Sequence, residues 1–498
     1  MKKYWQSINE LLETLFRSKW VMLAFFVIVM ALNFFYKFCF LDQMHIHGDQ
    51  AFSIFHSQKP LPELFTQLNK EANPPLYFTL LHFWIKLFGI GSVAVKSLSA
   101  LFSVGAAFFI YLIGKRTGNL IAAILPSSLF LLSNVHFDFS HEVRAFSLVF
   151  FLASISIYLF TKVLEKPDLR SLIVLALVNA ALPYCHYTSV LLPVTQFLIL
   201  LFVFPNSNIF LKVGLSFVLS ALLFIPQLLS LKNNIPDDNF WLSKPSQIDL
   251  EFVLIKLTGH DPTHNLIYCC LILFVVLIVV NRFYPVFKTG FNYKYLLLFV
   301  SVYFIPVFLN YFIAQYSPVF RLRYMLFAGI GPLLALGYAI AYIRIPNLLK
   351  LAALIYFVVK FQQGFIPQKR PIFQWDLASE WVKERKTEKS LVYIVPYWRI
   401  NDLGYYLDRD AFSQPSDYET ILKSQNIYGL YTSKNMLKAH DEFDSIILVQ
   451  NNYWDSDKEN SVLLELEKDG WVEEENNGGS EELLIRILKK DYTSEYNR

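Results

Sequence analysis

The sequence predicts an all-α, polytopic membrane protein that ends in a small α/β domain outside the bilayer. Three observations carry this reading. Of 498 residues, 55% are hydrophobic and only 17% are charged, with a mean hydropathy of +0.39. Apolar runs recur that meet the roughly 20 residues a helix needs to cross about 30 Å of hydrocarbon. Charge is also divided unevenly. Residues 366–498 hold 17 Lys+Arg against 25 Asp+Glu, a net of −8, which leaves +12 on residues 1–365. A basic apolar body followed by an acidic tail implies two domains, 1–365 and 366–498, in different surroundings. The short alternating segments of a membrane β-barrel are not the pattern here.

The runs are 20–41, 93–114, 119–135, 145–163, 171–186, 188–204, 210–231, 265–281, 295–313, 324–343 and 349–365, which predicts about eleven spans. The stretch 76–90 is apolar but short, and reads as a helix lying at the interface. Outer loop and interfacial helices are thus expected over about 42–92. The first run is too long for the apolar core of a signal peptide and has no small-residue cleavage site after it, so it is expected to be retained as a span. Lys2, Lys3, Arg17 and Lys19 precede it and put the N-terminus in the cytoplasm. Alternation then sets Lys115/Arg116, Lys162/Lys166/Arg170, Arg282/Lys288 and Arg344/Lys350 inside. HIHGDQ (45–50), the loops 136–144 and 232–264, QYSPVFRLRY (315–324) and the acidic tail fall outside. In the tail, WDLASEWVKER reads as a helix, and SLVYIVP, IYGLY and DSIILVQ as strands. Cys39, Cys185, Cys269 and Cys270 lie in or beside apolar runs without metal-ligand spacing, and read as packing residues.

Charge at the rim of a membrane is costly and needs a reason. Four polar clusters gather on the outer side: His45, His47 and Asp49; NKEANPPLY (69–77); HFDFSHEVR (136–144); and QYSPVFRLRY with Arg321 and Arg323. A carboxylate held just beyond a rigid helix end suits a general base. Arginines suit a phosphate, which they bind by bidentate, charge-assisted hydrogen bonds. Lipid-linked phosphates present that group at the level of these loops. The histidines 45, 47, 136 and 141, with Asp138 and Glu142, have no recognisable metal spacing, and no metal or cofactor is expected.

The order of these features resembles the C-type, polyprenyl-phosphate-sugar-dependent integral-membrane glycosyltransferases, in particular bacterial relatives of the protein O-mannosyltransferases and of the lipid A aminoarabinose transferase. The matching stretches are GDQAFS, ANPPLYFTLLHFWIKLFG, SHEVRAFSLVFFLASISIYLF, CHYTSVLLP and FRLRYMLFAGIGPLLAL, in that order. The resemblance implies a C-type glycosyltransferase-like fold and Asp49 as catalytic base. It implies substrate contacts from Glu142, Arg144, Arg323 and Tyr324, beside which Arg321, Asn73, Lys70 and His141 are substrate-binding candidates by their place in the outer clusters. It also implies a polyprenyl-phosphate sugar as donor, transfer with inversion, and no metal. This chain departs from the pattern at Gln50, where many relatives carry an acid, and at Asn73-Pro74-Pro75, where many have His-Pro-Pro or Lys-Pro.

Plainer readings stand beside these. Asp49 is also what a solvated loop offers. Glu142 and Arg144 suit a structural ion pair at the start of a helix. Arg321 and Arg323 suit interfacial snorkelling. Pro74 and Pro75 suit the first turn of a helix. As function, a transferase in the inner (plasma) membrane with an outward-facing site leads, acting on a protein, lipid or glycan acceptor and on no nucleic acid. A lipid or sugar transporter, or a polysaccharide polymerase or ligase, are the alternatives. Transporters usually show internal repeats and mid-membrane polar residues, and neither stands out here.

Overall fold

The computed structural model of the chain describes residues 2–43, 45–203, 205, 208–234, 243–259, 261–367, 374–431, 433–437, 440, 442–451, 461–476 and 483–490. Part of the expected outer loop 232–264 (235–242 and 260) thus lies outside the described residues. The chain divides into two compact units. The first is Met1–Leu41, Phe65–Leu80 and Lys96–Gln368; the second is Asp42–Leu64, Leu81–Val95 and Lys369–Arg498.

In the first unit helix occupies each of the eleven apolar runs. Among the described residues six helices are long and apolar enough to cross a membrane: Lys19–Gln43, Ser92–Thr117, Phe146–Glu165, Asn208–Ser230, Thr263–Val280 and Tyr293–Ile313. Others are shorter, such as Leu120–Leu132 and Leu169–Cys185. Apolarity on all sides of these helices means that hydrophobic periodicity cannot orient them, because lipid and protein interior are equally greasy. Close packing and buried polar groups orient them instead.

Leu120–Leu132 and Ile330–Tyr342 are buried along nearly their whole length and pack on each other. Gly337 makes this approach possible, since a Cβ there would stand 2.7 Å from Pro126 Cδ. Three further helices are tied by a closed ring of side-chain hydrogen bonds. Gln196 Nε2 donates to Ser156 Oγ (2.8 Å), Ser156 Oγ to Asn179 Oδ1 (2.6 Å), and Asn179 Nδ2 to Gln196 Oε1 (3.2 Å). Each polar atom in the ring has its partner inside the protein, as a membrane interior requires. The first span lies at the periphery, with only 17% of its most apolar stretch buried. Its exposed residues include Leu23, Val27, Leu32 and Phe35, which suit contact with lipid chains.

The second unit is built on a five-stranded sheet: β1 (Ser390–Val395), β2 (Ile427–Gly429), β3 (Ser445–Gln450), β4 (Trp471–Asn476) and β5 (Leu484–Lys490), in the order β2-β1-β3-β5-β4. The first three are parallel, and β5 runs antiparallel to both β3 and β4. β1 and the last five residues of β3 are fully buried, which explains why they read as unbroken apolar runs. The expected helix appears as Trp375–Arg385, and the three expected strands as β1, β2 and β3. β4 and β5 were not anticipated. WVEEEN and LIRILKK have the charge content of helix surfaces, and only pairing, of β5 on β3 and of β4 on β5, makes them strands.

The same unit takes in two segments from far upstream. Phe55 packs on the rings of Phe412 (5.3 Å) and Tyr418 (4.9 Å), and Gln58 donates to the Phe412 carbonyl (3.2 Å). Tyr405 Oη donates to the Ile90 carbonyl (2.8 Å).

Candidate functional site

The expected site residues fall into two clusters, one in each unit. In the membrane unit, Arg323 sits on a 3-10 turn, Leu322–Tyr324, which is followed by a second turn, Leu326–Gly329, and the buried helix Ile330–Tyr342. Its guanidinium lies over the Tyr324 ring (5.3 Å) and donates to Tyr324 Oη at 3.5 Å. Tyr324 packs in turn on His186 (ring centroids 4.7 Å). Thr188 Oγ1 donates to the Tyr324 carbonyl (2.9 Å), so its remaining contact with His186 Nδ1 (2.8 Å) is one in which the ring nitrogen donates. A narrow pocket opens here, lined by Phe146, Val149, Phe150, His186, Ser189, Arg323 and Tyr324 among others.

Arg144 joins this cluster: His186 feels the positive charge of both Arg144 and Arg323. The Arg144 guanidinium also lies over Phe78 (5.6 Å), and Tyr77, bonded to Ser99 Oγ (2.8 Å), feels the charges of Arg144 and Glu142. Arg144 and Arg323, from loops about 180 residues apart in sequence, thus bear on the same histidine. Arg323 at the wall of an aromatic-lined pocket, with the charge of Arg144 bearing on His186 of the same wall, makes a positive surrounding suited to an oxyanion.

The remaining expected residues of this unit have other surroundings. His141 is buried, and its Nε2 bonds to the Lys37 carbonyl (2.8 Å). Burial, assisted by the charges of Lys37 and Lys96, pushes its pKa down to about 4, so it is a neutral donor that ties the loop to the first span. Arg321 is exposed and acts on Asp249, whose carboxyl is held below the usual range first by the Ser246 backbone and hydroxyl and then by Arg321. Lys70 is exposed at the end of helix Leu61–Lys70. Asn73 is half-buried in the following turn, its N–H bonded to the Leu68 carbonyl (2.8 Å).

Two residues were missed. Lys37 and Lys96 are fully buried; Lys37 Nζ donates to Ser103 Oγ (2.5 Å) and lies 4.5 Å from the Phe130 ring centre, and Lys96 Nζ donates to the Leu41 carbonyl (3.1 Å). Their signal was present in the sequence: each is a lysine at the outer end of an apolar run, on the side where positive charge is disfavoured.

In the second unit Asp49 is exposed and opens the helix Asp49–Ser57, where the helix N-terminus favours a carboxylate. Gly48 before it has φ +52°, and a Cβ there would also meet Arg399 Nη1 at 3.3 Å, so glycine is required twice over. The Gly48 N–H donates to Asp402 Oδ1, and Arg399 Nη1 to Asp402 Oδ2 (2.9 Å). None of this was read from the tail sequence. His45 pairs with Asp376 (2.8 Å), and His56 is buried on Phe52 with its pKa lowered to about 3, first by burial and then by Lys59. Among the described residues no group of three or more His, Cys, Asp or Glu is placed to hold a metal.

Asp402 is fully buried, and burial outweighs the Arg399 charge to push its pKa up to about 6. The folded protein therefore holds this proton more tightly than the unfolded chain, whose aspartates titrate near 3.9. The group's contribution to stability is complete below about pH 4 and is lost as pH rises through about 6. In thermal unfolding between pH 4 and 7, Asp402→Asn is expected to flatten the pH dependence. An unchanged slope would show that Asp402 titrates normally.

The fold finds counterparts among known proteins. Residues 72–229 match the family described as dolichyl-phosphate-mannose-protein mannosyltransferase. No curated protein sequence matches. Among solved structures, ArnT from Cupriavidus metallidurans bound to undecaprenyl phosphate superposes with a TM-score of 0.55 at 11% identity, over 93% of this chain and 97% of that one. The Archaeoglobus fulgidus oligosaccharyltransferase tethered with an acceptor peptide gives 0.48 at 12% identity, over 96% of this chain and 75% of that one. The arabinofuranosyltransferase AftD from Mycobacteria gives 0.49 at 12%, over 95% and 40%. The ArnT likeness, spanning nearly the whole of both chains, is one of architecture: this chain is an integral, multi-pass membrane protein with the fold expected from the resemblance, that of the C-type glycosyltransferases.

Proposed function

We propose that the protein is a glycosyltransferase that moves a sugar from a polyprenyl-phosphate-linked donor to an extracytoplasmic acceptor. The observation that carries this reading is the likeness, over nearly its full length, to a protein solved with undecaprenyl phosphate. Arg323 at the pocket of the membrane unit, and the charge that both Arg323 and Arg144 exert on His186 in its wall, support it. In this reading the two arginines hold the donor phosphate, and Tyr324 holds Arg323 by its ring. Glu142 balances the charge of Arg144, while Lys70, Asn73 and Arg321 supply further polar groups to the substrates and His141 fixes the loop that carries Glu142 and Arg144.

Asp49 takes the proton from the acceptor's hydroxyl or amine as that atom attacks the anomeric carbon. The bond from that carbon to the phosphate oxygen breaks on the opposite face, and polyprenyl phosphate leaves with the electron pair. A single displacement inverts the anomeric centre. The basic N-terminal flank and the outer position of the clusters in the alternating map support an inner (plasma) membrane protein with its N-terminus in the cytoplasm and both the active site and the 366–498 domain outside.

The test is transfer in membranes, with a panel of labelled polyprenyl-phosphate sugars and a cell-envelope extract as acceptor. One sugar added to an acceptor supports this reading. A growing polymer identifies a polymerase or ligase. Donor that crosses the bilayer with no new bond identifies a flippase, and the assignment then falls.

A further inference from the structure

Three side chains of the second unit reach the loop that carries Asp49. Arg399, Asp402 and Tyr406 follow the spacing i, i+3, i+7 and so lie on one face of the turn Tyr397–Arg399 and the helix Ile400–Leu407. Tyr406 Oη accepts from the Ile46 N–H (2.7 Å) and donates to the Ile46 carbonyl (3.3 Å), holding both backbone groups of one residue. Two residues on, the Gly48 N–H donates to Asp402, which Arg399 grips from its other oxygen (2.9 Å). The following peptides close on their own helix: Phe52 N–H bonds to the Gly48 carbonyl (3.2 Å), and Ser53 Oγ to that of Asp49 (2.7 Å).

An ion pair as buried as Arg399–Asp402, with side chains 5% and 1% exposed, is an inefficient way to gain stability, because removing both charges from water costs about what their attraction returns. Apolar residues would fill the space as well. What the pair supplies is a fixed acceptor for one N–H, at a glycine held at φ +52°, a residue whose backbone is otherwise free to take many conformations.

We propose that Arg399, Asp402 and Tyr406 are positioning residues: the sheet unit reads the backbone of residues 46–48 and thereby sets where the Asp49 carboxylate stands. The catalytic consequence rests on Asp49 being the base; the anchoring does not.

The full-length protein in lipid nanodiscs tests this with Tyr406→Phe, which removes one oxygen and keeps the ring, and with Asp402→Asn. Hydrogen–deuterium exchange at amides 46–50 is expected to quicken by about tenfold in each, the scale of one lost hydrogen bond. Exchange in β1 and β3 is expected to stay unchanged. In the transfer assay kcat is expected to fall roughly tenfold while KM for the donor holds within about twofold, since misplacing a base without touching the donor spares ground-state binding.

Unchanged exchange at 46–50, or equal quickening throughout the sheet, overturns the anchoring. Faster exchange at 46–50 with unaltered kcat overturns the positioning role. If the wild type transfers no sugar, the assigned reaction falls and the catalytic consequence with it, while exchange still decides the anchoring. Tyr406→Phe keeps both arms decisive if Asp402→Asn does not fold.

Discussion

Asp49→Asn is expected to lower sugar transfer by roughly a hundredfold to ten-thousandfold, the range that loss of a general base produces. The amide keeps the shape of the side chain but cannot take the acceptor's proton. Little else is expected to change, because Asp49 is exposed and stands at the first position of its helix. There the lost charge costs about 0.3–1 kcal/mol of helix stability. Initial rates in membranes, normalised to protein abundance and measured across pH, provide the check. Transfer as fast as the wild type's would remove Asp49 from the mechanism and leave the transferase assignment standing.

Arg323→Ala is the second large effect. A hydrogen bond between two charged groups contributes about 1.5–3 kcal/mol. Its loss is expected to raise KM for the donor by roughly tenfold to 150-fold. Arg323→Lys is expected to restore part of this, because lysine keeps the charge but not the planar fork. Lysine also does not reproduce the guanidinium's stacking over Tyr324. Since Arg144 bears on the same His186, Arg144→Ala is expected to raise KM in the same direction, and the double variant to exceed either alone. The measurement is donor saturation for the wild type and the four variants. A KM that stays put in Arg323→Ala, with protein equally abundant, places the phosphate elsewhere.

How legible these residues were depended on their kind. Arg323 and Arg144 were visible as charges at the ends of apolar runs, against the rule that keeps positive charge inside. Lys37 and Lys96 carried the same signal and were passed over as part of the runs themselves. Their burial depends on Ser103, Phe130 and the Leu41 carbonyl, none of which announces itself in sequence. Arg399, Asp402 and Tyr406 had no such mark. In an acidic, soluble-looking tail, RINDLGYY is an ordinary helix surface, and its i, i+3, i+7 face means something only once Ile46 and Gly48 lie against it.

The same division runs through the fold. The eleven helical runs, the helix 375–385 and the strands β1, β2 and β3 were local matters: an unbroken apolar run has few ways to satisfy its backbone in lipid or in a sheet core. Composition and order were enough for those. β4 and β5, the ring of Ser156, Asn179 and Gln196, the bearing of both Arg144 and Arg323 on His186, and the grouping of residues 42–64 with a sheet more than 300 residues away were not local. Each joins atoms from distant parts of the chain. Helices that are apolar on every side carry no stripe to say which face turns inward, and hydrogen bonds between such elements are chosen only when the whole chain has packed.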